Sequence, residues 1–204
     1  MWHVRPRRRR HVGSGPREGH RSDPRGRGSG SGALFAFMSI TLFETGDAGT
    51  GALFGARGLG NMIGPVVALA IVGRSSRRIL GSIGWAMTVW GVAYVFVGFS
   101  PTLLLAAAAV CVAHMGGGTQ FTFSTYGLQE LMPDDVRGRI FALDFGIDMM
   151  AISISALALG ALAQTVAIRP LLVGLGVVVI VFGLTWTVLT RPLWADLDTA
   201  PEEG

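Results

Sequence analysis

A chain of 204 residues that is 50% hydrophobic and only 15% charged, with a mean hydropathy of +0.50, is too apolar for an ordinary soluble domain, where about a quarter of residues are charged, so a membrane protein is the first expectation. The formal charge of +4 misleads: all 17 basic residues are Arg, nine of them in residues 1–32 beside only Glu18 and Asp23, whereas residues 33–204 hold eight Arg against eleven Asp or Glu, a net of −3. A single cysteine, Cys111, excludes an internal disulfide, and short connections between the apolar runs leave no room for a soluble catalytic domain, so an enzyme is not expected.

Residues 1–32 are rich in Arg, Gly, Ser and Pro and nearly free of apolar side chains. Nothing there buries enough surface to offset ordering, so a disordered tail is expected. It is not a signal peptide, because no apolar core of the right length follows the Arg run at the right distance. Its charge suits RNA or the anionic cytoplasmic leaflet. With no aromatic interleaving beyond Trp2, nucleic acid is the poorer match. A non-native start to the reading frame is the other expectation.

From Ala33 the character changes. Residues 33–44 ("ALFAFMSITLFE") form an apolar run that reaches about 18 Å as helix, against a hydrocarbon core of about 30 Å. Five full-length apolar segments follow, at 52–72, 79–99, 102–126, 140–164 and 171–190, and no strand alternation competes with them. The fold class expected is therefore an all-α polytopic membrane protein with five full transmembrane helices and one partial helix, closed by an acidic tail at 193–204. Ser100-Pro101 and Arg169-Pro170 mark helix starts, since Pro fits the first turn. Arg74, Arg77 and Arg78, then Arg137 and Arg139, then Arg191 fall on one side, and only Arg169 on the other, with Glu44 and Asp47. The Arg-rich side, with both termini, is expected in the cytoplasm, and the localisation in the plasma or inner membrane.

Three places within the spans carry polar chemistry. In "GARGLGNMIGP" (55–65), Arg57 lies inside a segment that must cross lipid, with Asn61 one turn on. Such a charge costs a few kcal/mol on insertion scales, so it faces a cavity or a partner, as a substrate or coupling-ion contact, or else it snorkels or fixes packing. Gly51, Gly55, Gly60 and Gly64 form two small-xxx-small pairs that admit another helix, and Pro65 is expected to bend this one. In "CVAHMGGGTQFTFSTYG" (111–127), His114 is a possible proton carrier, or a histidine bonded to a nearby backbone carbonyl. With no His or Cys in the spans beyond His114 and Cys111, neither a metal nor a cofactor is expected. In "MPDDVRGRIFALDFGIDMM" (132–150), Asp144 and Asp148 lie four residues apart on one helical face, about 7 and 13 Å beyond Arg139. Two buried carboxylates favour a shared proton, which a proton relay requires; the alternative leaves Asp144 at headgroup level and Asp148 against a polar neighbour. Before them, Asp134 is expected as helix N-cap, Asp135 paired with Arg139, and Arg137 with Arg139 holding the loop inside.

Six segments with Arg-bearing loops resemble one half of a major facilitator superfamily transporter, over residues 33–192. "GARGLGNMIGP" is similar to the eighth helix of the branch that contains enterobactin exporters and macrolide efflux proteins. "ELMPDDVRGRIFALDFGI" is similar to the loop and start of the eleventh helix, where Pro-Asp-x-x-Arg-Gly-Arg recurs. The loop "GRSSRR" keeps Arg74, Arg77 and Arg78 of the pattern Asp-Arg-x-Gly-Arg-Arg, with Gly73 in place of the Asp and Ser76 in place of the Gly. The resemblance implies the C-terminal half of a proton-coupled exporter of a small amphiphilic compound, with Arg57, Asn61, His114 and Asp148 as cavity or coupling residues. It also implies partners: the lipid bilayer, a small-molecule substrate, and a second chain supplying the other half. A non-transporting membrane subunit, or a membrane-tethered binder acting through the Arg tail, are the alternatives.

Overall fold

The computed structural model describes residues 30–195, all of whose regular elements are helices. They are α1 (Gly30–Thr41), α2 (Gly46–Val72), α3 (Ser76–Gly81), α4 (Ile83–Phe99), α5 (Leu103–Leu131), α6 (Asp134–Leu162) and α7 (Ile168–Ala195). The expected disorder of the N-terminal tail lies outside the described residues up to 29, as does most of the acidic tail. α1 begins at Gly30, within the stretch expected as tail, and α7 runs five residues past the expected end at 190. α2, α3 with α4, α5, α6 and α7 give five spans long and apolar enough to cross a membrane, which marks a multi-pass membrane protein.

The helices extend into the polar connections more than the hydropathy pattern predicts. α2 starts at Gly46 because the reversal after α1 is tight: Glu44 and Gly46 both have positive φ, and Ser39 Oγ donates to the Gly46 carbonyl at 2.6 Å. Asp47 then lies in the first turn, where a carboxylate complements the helix dipole. The expected third segment breaks at Ser82, whose hydroxyl donates back to the Ile79 carbonyl at 2.7 Å. Pro101 precedes the first turn of α5, and Thr102 is its N-cap, accepting from Leu105 N–H. Pro170, by contrast, does sit in the first turn of α7. Gly73 ends α2 at φ 79°, a conformation L side chains rarely adopt, which accounts for glycine where the resembling pattern has Asp.

The bundle is assembled on close backbone approaches. α4 and α7 run antiparallel, and glycines seven residues apart meet along the seam: Gly84 on Gly183 and Thr187, Gly91 on Gly176 and Ile180, Gly98 on Arg169 and Val173. A seven-residue repeat of contacts is the left-handed packing common in membrane bundles. α2 and α5 run parallel, with Gly60 and Gly64 set against the backbone of Cys111 and Met115. Gly51 and Gly55, the other expected pair, have open space where a side chain would be. Gly116 packs on Ala86 and Trp90 of α4, while Gly118 packs on Asn61 of α2, so the triple glycine lets α5 lie close to two neighbours. The main core joins Phe35, Met38, Leu53, Val97, Val110 and Leu172 from five helices.

α6 stands apart. It rests chiefly on α1, with a smaller contact to α5, and none of its 29 residues is buried.

Candidate functional site

The residues singled out by sequence fall in two places. The first centres on His114, midway along α5 and 6% exposed. Its Nδ1 donates to the Val110 carbonyl at 2.9 Å, one turn back in the same helix. The ring is enclosed by Phe35 of α1 and by Trp90 and Tyr94 of α4, with centroids 6.0–6.4 Å away. Phe35 in turn meets Phe54 of α2 edge-on at 5.3 Å. Arg57 is half-buried on α2, three residues before Gly60, which packs against His114. Trp90 Nε1 is buried with no hydrogen-bond partner among the described residues. The geometry therefore agrees with the backbone-bonded reading of His114, in a tautomer fixed with its proton on Nδ1.

Asn61 lies one turn from Arg57 with its side chain exposed. Pro65 lacks the N–H that the Asn61 carbonyl would otherwise accept, four residues on. That carbonyl is where Gly118 packs. Of the polar residues further along α5, Thr119 is buried and satisfied by the Met115 carbonyl at 2.7 Å, while Gln120, Ser124 and Thr125 are half-buried.

The second place is α6. Asp144 and Asp148 share one face but are both exposed, so the carboxylate expected to be buried is not buried within this chain. Neither forms an ion pair or hydrogen bond among the described residues. Hydropathy fixes depth along the helix axis, not what stands beside it, and among the described residues α1 and α5 touch α6 without burying any of it. The two groups, His114 with Arg57 and the α6 carboxylates, are thus on separate parts of the bundle, with α1 between α2 and α6.

The loop charges are structural, with a different pairing from the one expected. Pro133, not Asp134, is the N-cap of α6, so Asp134 and Asp135 lie in the first turn. Arg137 pairs with Asp134 at 2.7 Å and also donates to the Met132 carbonyl at 2.9 Å, tying the end of α5 to the start of α6. Asp135 and Arg139 form no ion pair. At the neighbouring connection Arg78 reaches the Val72 carbonyl at 3.5 Å, and Arg74 and Arg77 are exposed. Ser76, in place of the pattern's glycine, shares a 3.0 Å hydrogen bond with Tyr126 of α5, which places both Arg-bearing loops at the same end of the bundle.

The aromatic enclosure of His114 was not foreseen. Trp90 and Tyr94, four residues apart on one face of α4, are the one sequence signal for it. No group of three or more His, Cys, Asp or Glu able to hold a metal occurs among the described residues. The chain matches no protein-family model, no curated protein and no solved structure.

Proposed function

We propose that this chain is one half of a facilitator-type membrane transporter that exports a small amphiphilic compound in exchange for protons. The observation that carries the reading is α6. It is a 29-residue apolar span with two carboxylates on one face and no buried residue. Charges within a membrane helix are rare, cost several kcal/mol against lipid, and almost always face a bundle interior or a water-filled cavity. A second helical bundle, supplied by another chain, would supply that environment for α6 and for the exposed side of α2. In this reading Asp148 takes and releases the coupled proton, with Asp144 closer to the Arg-bearing end. Arg57 and Asn61, on α2 across α1 from α6, would contact the substrate from another wall of that cavity. His114, held by Val110 and three rings, positions α5 rather than carrying a proton. The Arg-bearing loops face the cytoplasm, and alternating access comes from rocking of the two bundles about the cavity.

The test is export from membrane vesicles carrying the chain and its membrane partners, energised by a pH gradient and loaded with a panel of amphiphilic dyes. Gradient-driven export of at least one dye is expected, and its loss in Asp148→Asn. Undiminished export in that variant removes Asp148 from the mechanism. An absence of gradient-driven export for every dye in the wild type leaves a non-transporting membrane subunit as the better reading. The latter has its own support in the structure, since Gly60, Gly64, Gly84 and Gly91 let neighbouring helices approach with no room for a side chain.

A further inference from the structure

The Arg169 guanidinium is anchored on one edge and uncommitted on the other. Nη1 donates to the carbonyls of Gly98 and Ser100, both at 3.1 Å, which holds the half-buried side chain over the C-terminal end of α4. A guanidinium has five N–H donors. Those on Nε and Nη2 find no acceptor among the described residues, and no carboxylate pairs with Arg169. The carbonyls at a helix C-terminus carry about half a negative charge, so they offset only part of the cation.

Ser100 also lines a second feature. Between α4 and α5 runs a groove of about 410 Å³, lined by Phe96, Phe99, Leu105 and Ala108, with Ser100 and Pro101 at the turn joining the helices. The Ser100 hydroxyl is spent on the Phe96 carbonyl at 2.9 Å, so the groove offers almost no polar group. It runs from the end of the helices toward the level of Ala93 and Val112. Phe96 and Phe99 are 64% and 69% exposed on its flank, so it opens sideways, toward lipid, rather than into the bundle.

We infer that this groove and Arg169 together bind one phospholipid, with an acyl chain along the groove and the phosphate on the Nε/Nη2 edge of Arg169. An apolar groove with a cation fixed on the carbonyl of Ser100 at its end matches an amphiphile whose anion sits at the headgroup level. The planar edge of Arg suits two phosphate oxygens at once. The volume falls within the range of ligand pockets, about 300–1,000 Å³. The bound lipid would fasten the α4–α5 turn to the start of α7. The inference rests on the chain spanning a membrane.

Native mass spectrometry of the purified protein in neutral detergent tests it, with phosphatidylglycerol, diacylglycerol of the same chains, and inorganic phosphate as separate probes. One phosphatidylglycerol is expected to remain bound, with diacylglycerol held about tenfold less, the weight of a charge-assisted hydrogen bond, and phosphate alone not retained. Arg169→Gln is expected to bring phosphatidylglycerol down to the diacylglycerol level. Ala108→Trp, at an exposed position that fills the groove, is expected to reduce both lipids while leaving the helical circular dichroism unchanged. Equal retention of the two lipids, or wild-type retention in Ala108→Trp, overturns the site. Release of the protein from membranes by an alkaline carbonate wash would instead overturn the membrane reading beneath it.

Discussion

The backbone carbonyl of Asn61 faces Gly118 across the parallel contact of α2 and α5, so closely that a Cβ on Gly118 would sit 2.7 Å from the oxygen and 2.8 Å from the Asn61 Cα. Pro65 removes the amide that would otherwise engage this carbonyl, and a glycine α-carbon hydrogen is a weak donor that tolerates the approach. Both atoms that crowd Gly118 are backbone, so neither can swing away. Gly118→Ala should therefore cost about 1–3 kcal/mol through overpacking. Gly55→Ala, on α2 where nothing lies within 4 Å, should be neutral or gain up to about 1 kcal/mol in helix propensity. Unfolding of the two variants in detergent, followed by circular dichroism, measures the difference. Equal stability would mean that α2 and α5 are not in this contact.

How far the sequence carried the fold follows from cases of this kind. Five spans were legible because an apolar run of about 20 residues has few other solutions. The break at Ser82 was not, because it falls inside an apolar run whose hydropathy does not change there. The spacing of Gly60 and Gly64 predicts the helix contact they make, whereas Gly51 and Gly55, with the same spacing, meet nothing among the described residues. Spacing says that a face is smooth but not whether a neighbour arrives at that height. The two carboxylates of α6 could be placed along the helix but not against anything. At His114 the carbonyl partner was one of two alternatives open from sequence. The enclosing rings come from α1 and α4, and no local pattern brings those together with α5.

The α4–α7 seam makes a second, independent test of the packing. A Cβ on Gly91 would fall 2.6 Å from the Gly176 carbonyl and 2.7 Å from the Ile180 nitrogen, and one on Gly176 would fall 2.6 Å from the Gly91 carbonyl. Gly91→Ala should destabilise by about 1–3 kcal/mol, because two straight helices must separate to admit it. Gly174→Ala, two residues from Gly176 and with open space around it, should not destabilise. Thermal unfolding of both variants in the same detergent decides, and a destabilised Gly174→Ala would contradict the seam as described.

His114 offers a separation of packing from proton transfer. Removing the ring in His114→Ala leaves a cavity among Phe35, Trp90 and Tyr94, and should cost about 3 kcal/mol. His114→Phe keeps a ring and loses one hydrogen bond to a carbonyl that sits within a helix, so its cost should be about 1 kcal/mol. Any pH-gradient-driven export by the wild type should survive in His114→Phe. Its complete loss, with the protein still folded, would make the histidine a proton carrier after all.

Arg137 should matter more than the other loop charges. It closes an ion pair on Asp134 and bonds the Met132 carbonyl that ends α5, two interactions spanning the joint between helices. Arg137→Ala should cost about 1–2 kcal/mol, since the pair is partly exposed and the carbonyl bond is charge-assisted. Asp135→Asn and Arg139→Gln remove charges that make no pair among the described residues, and should lie within about 0.5 kcal/mol of wild type. Proteolysis at the α5–α6 joint gives a second readout, with cleavage faster in Arg137→Ala alone.

The surroundings of Asp144 and Asp148 can be read chemically without knowing a substrate. Both are exposed on a helix of which no residue is buried among the described residues, and the proposed function puts them in an aqueous cavity rather than against lipid. In a background where Cys111, the single native thiol, is replaced by Ala, a cysteine introduced by Asp148→Cys should react in native membranes with a charged, membrane-impermeant maleimide. Maleimide addition requires the thiolate, which forms in water and not in hydrocarbon. Leu157→Cys, on an apolar stretch of the same helix and 77% exposed, serves as the comparison and should stay unlabelled. Labelling at 148 without labelling at 157 identifies a wet face on α6. Labelling at neither position places residue 148 out of reach of water and removes the coupling role proposed for Asp148.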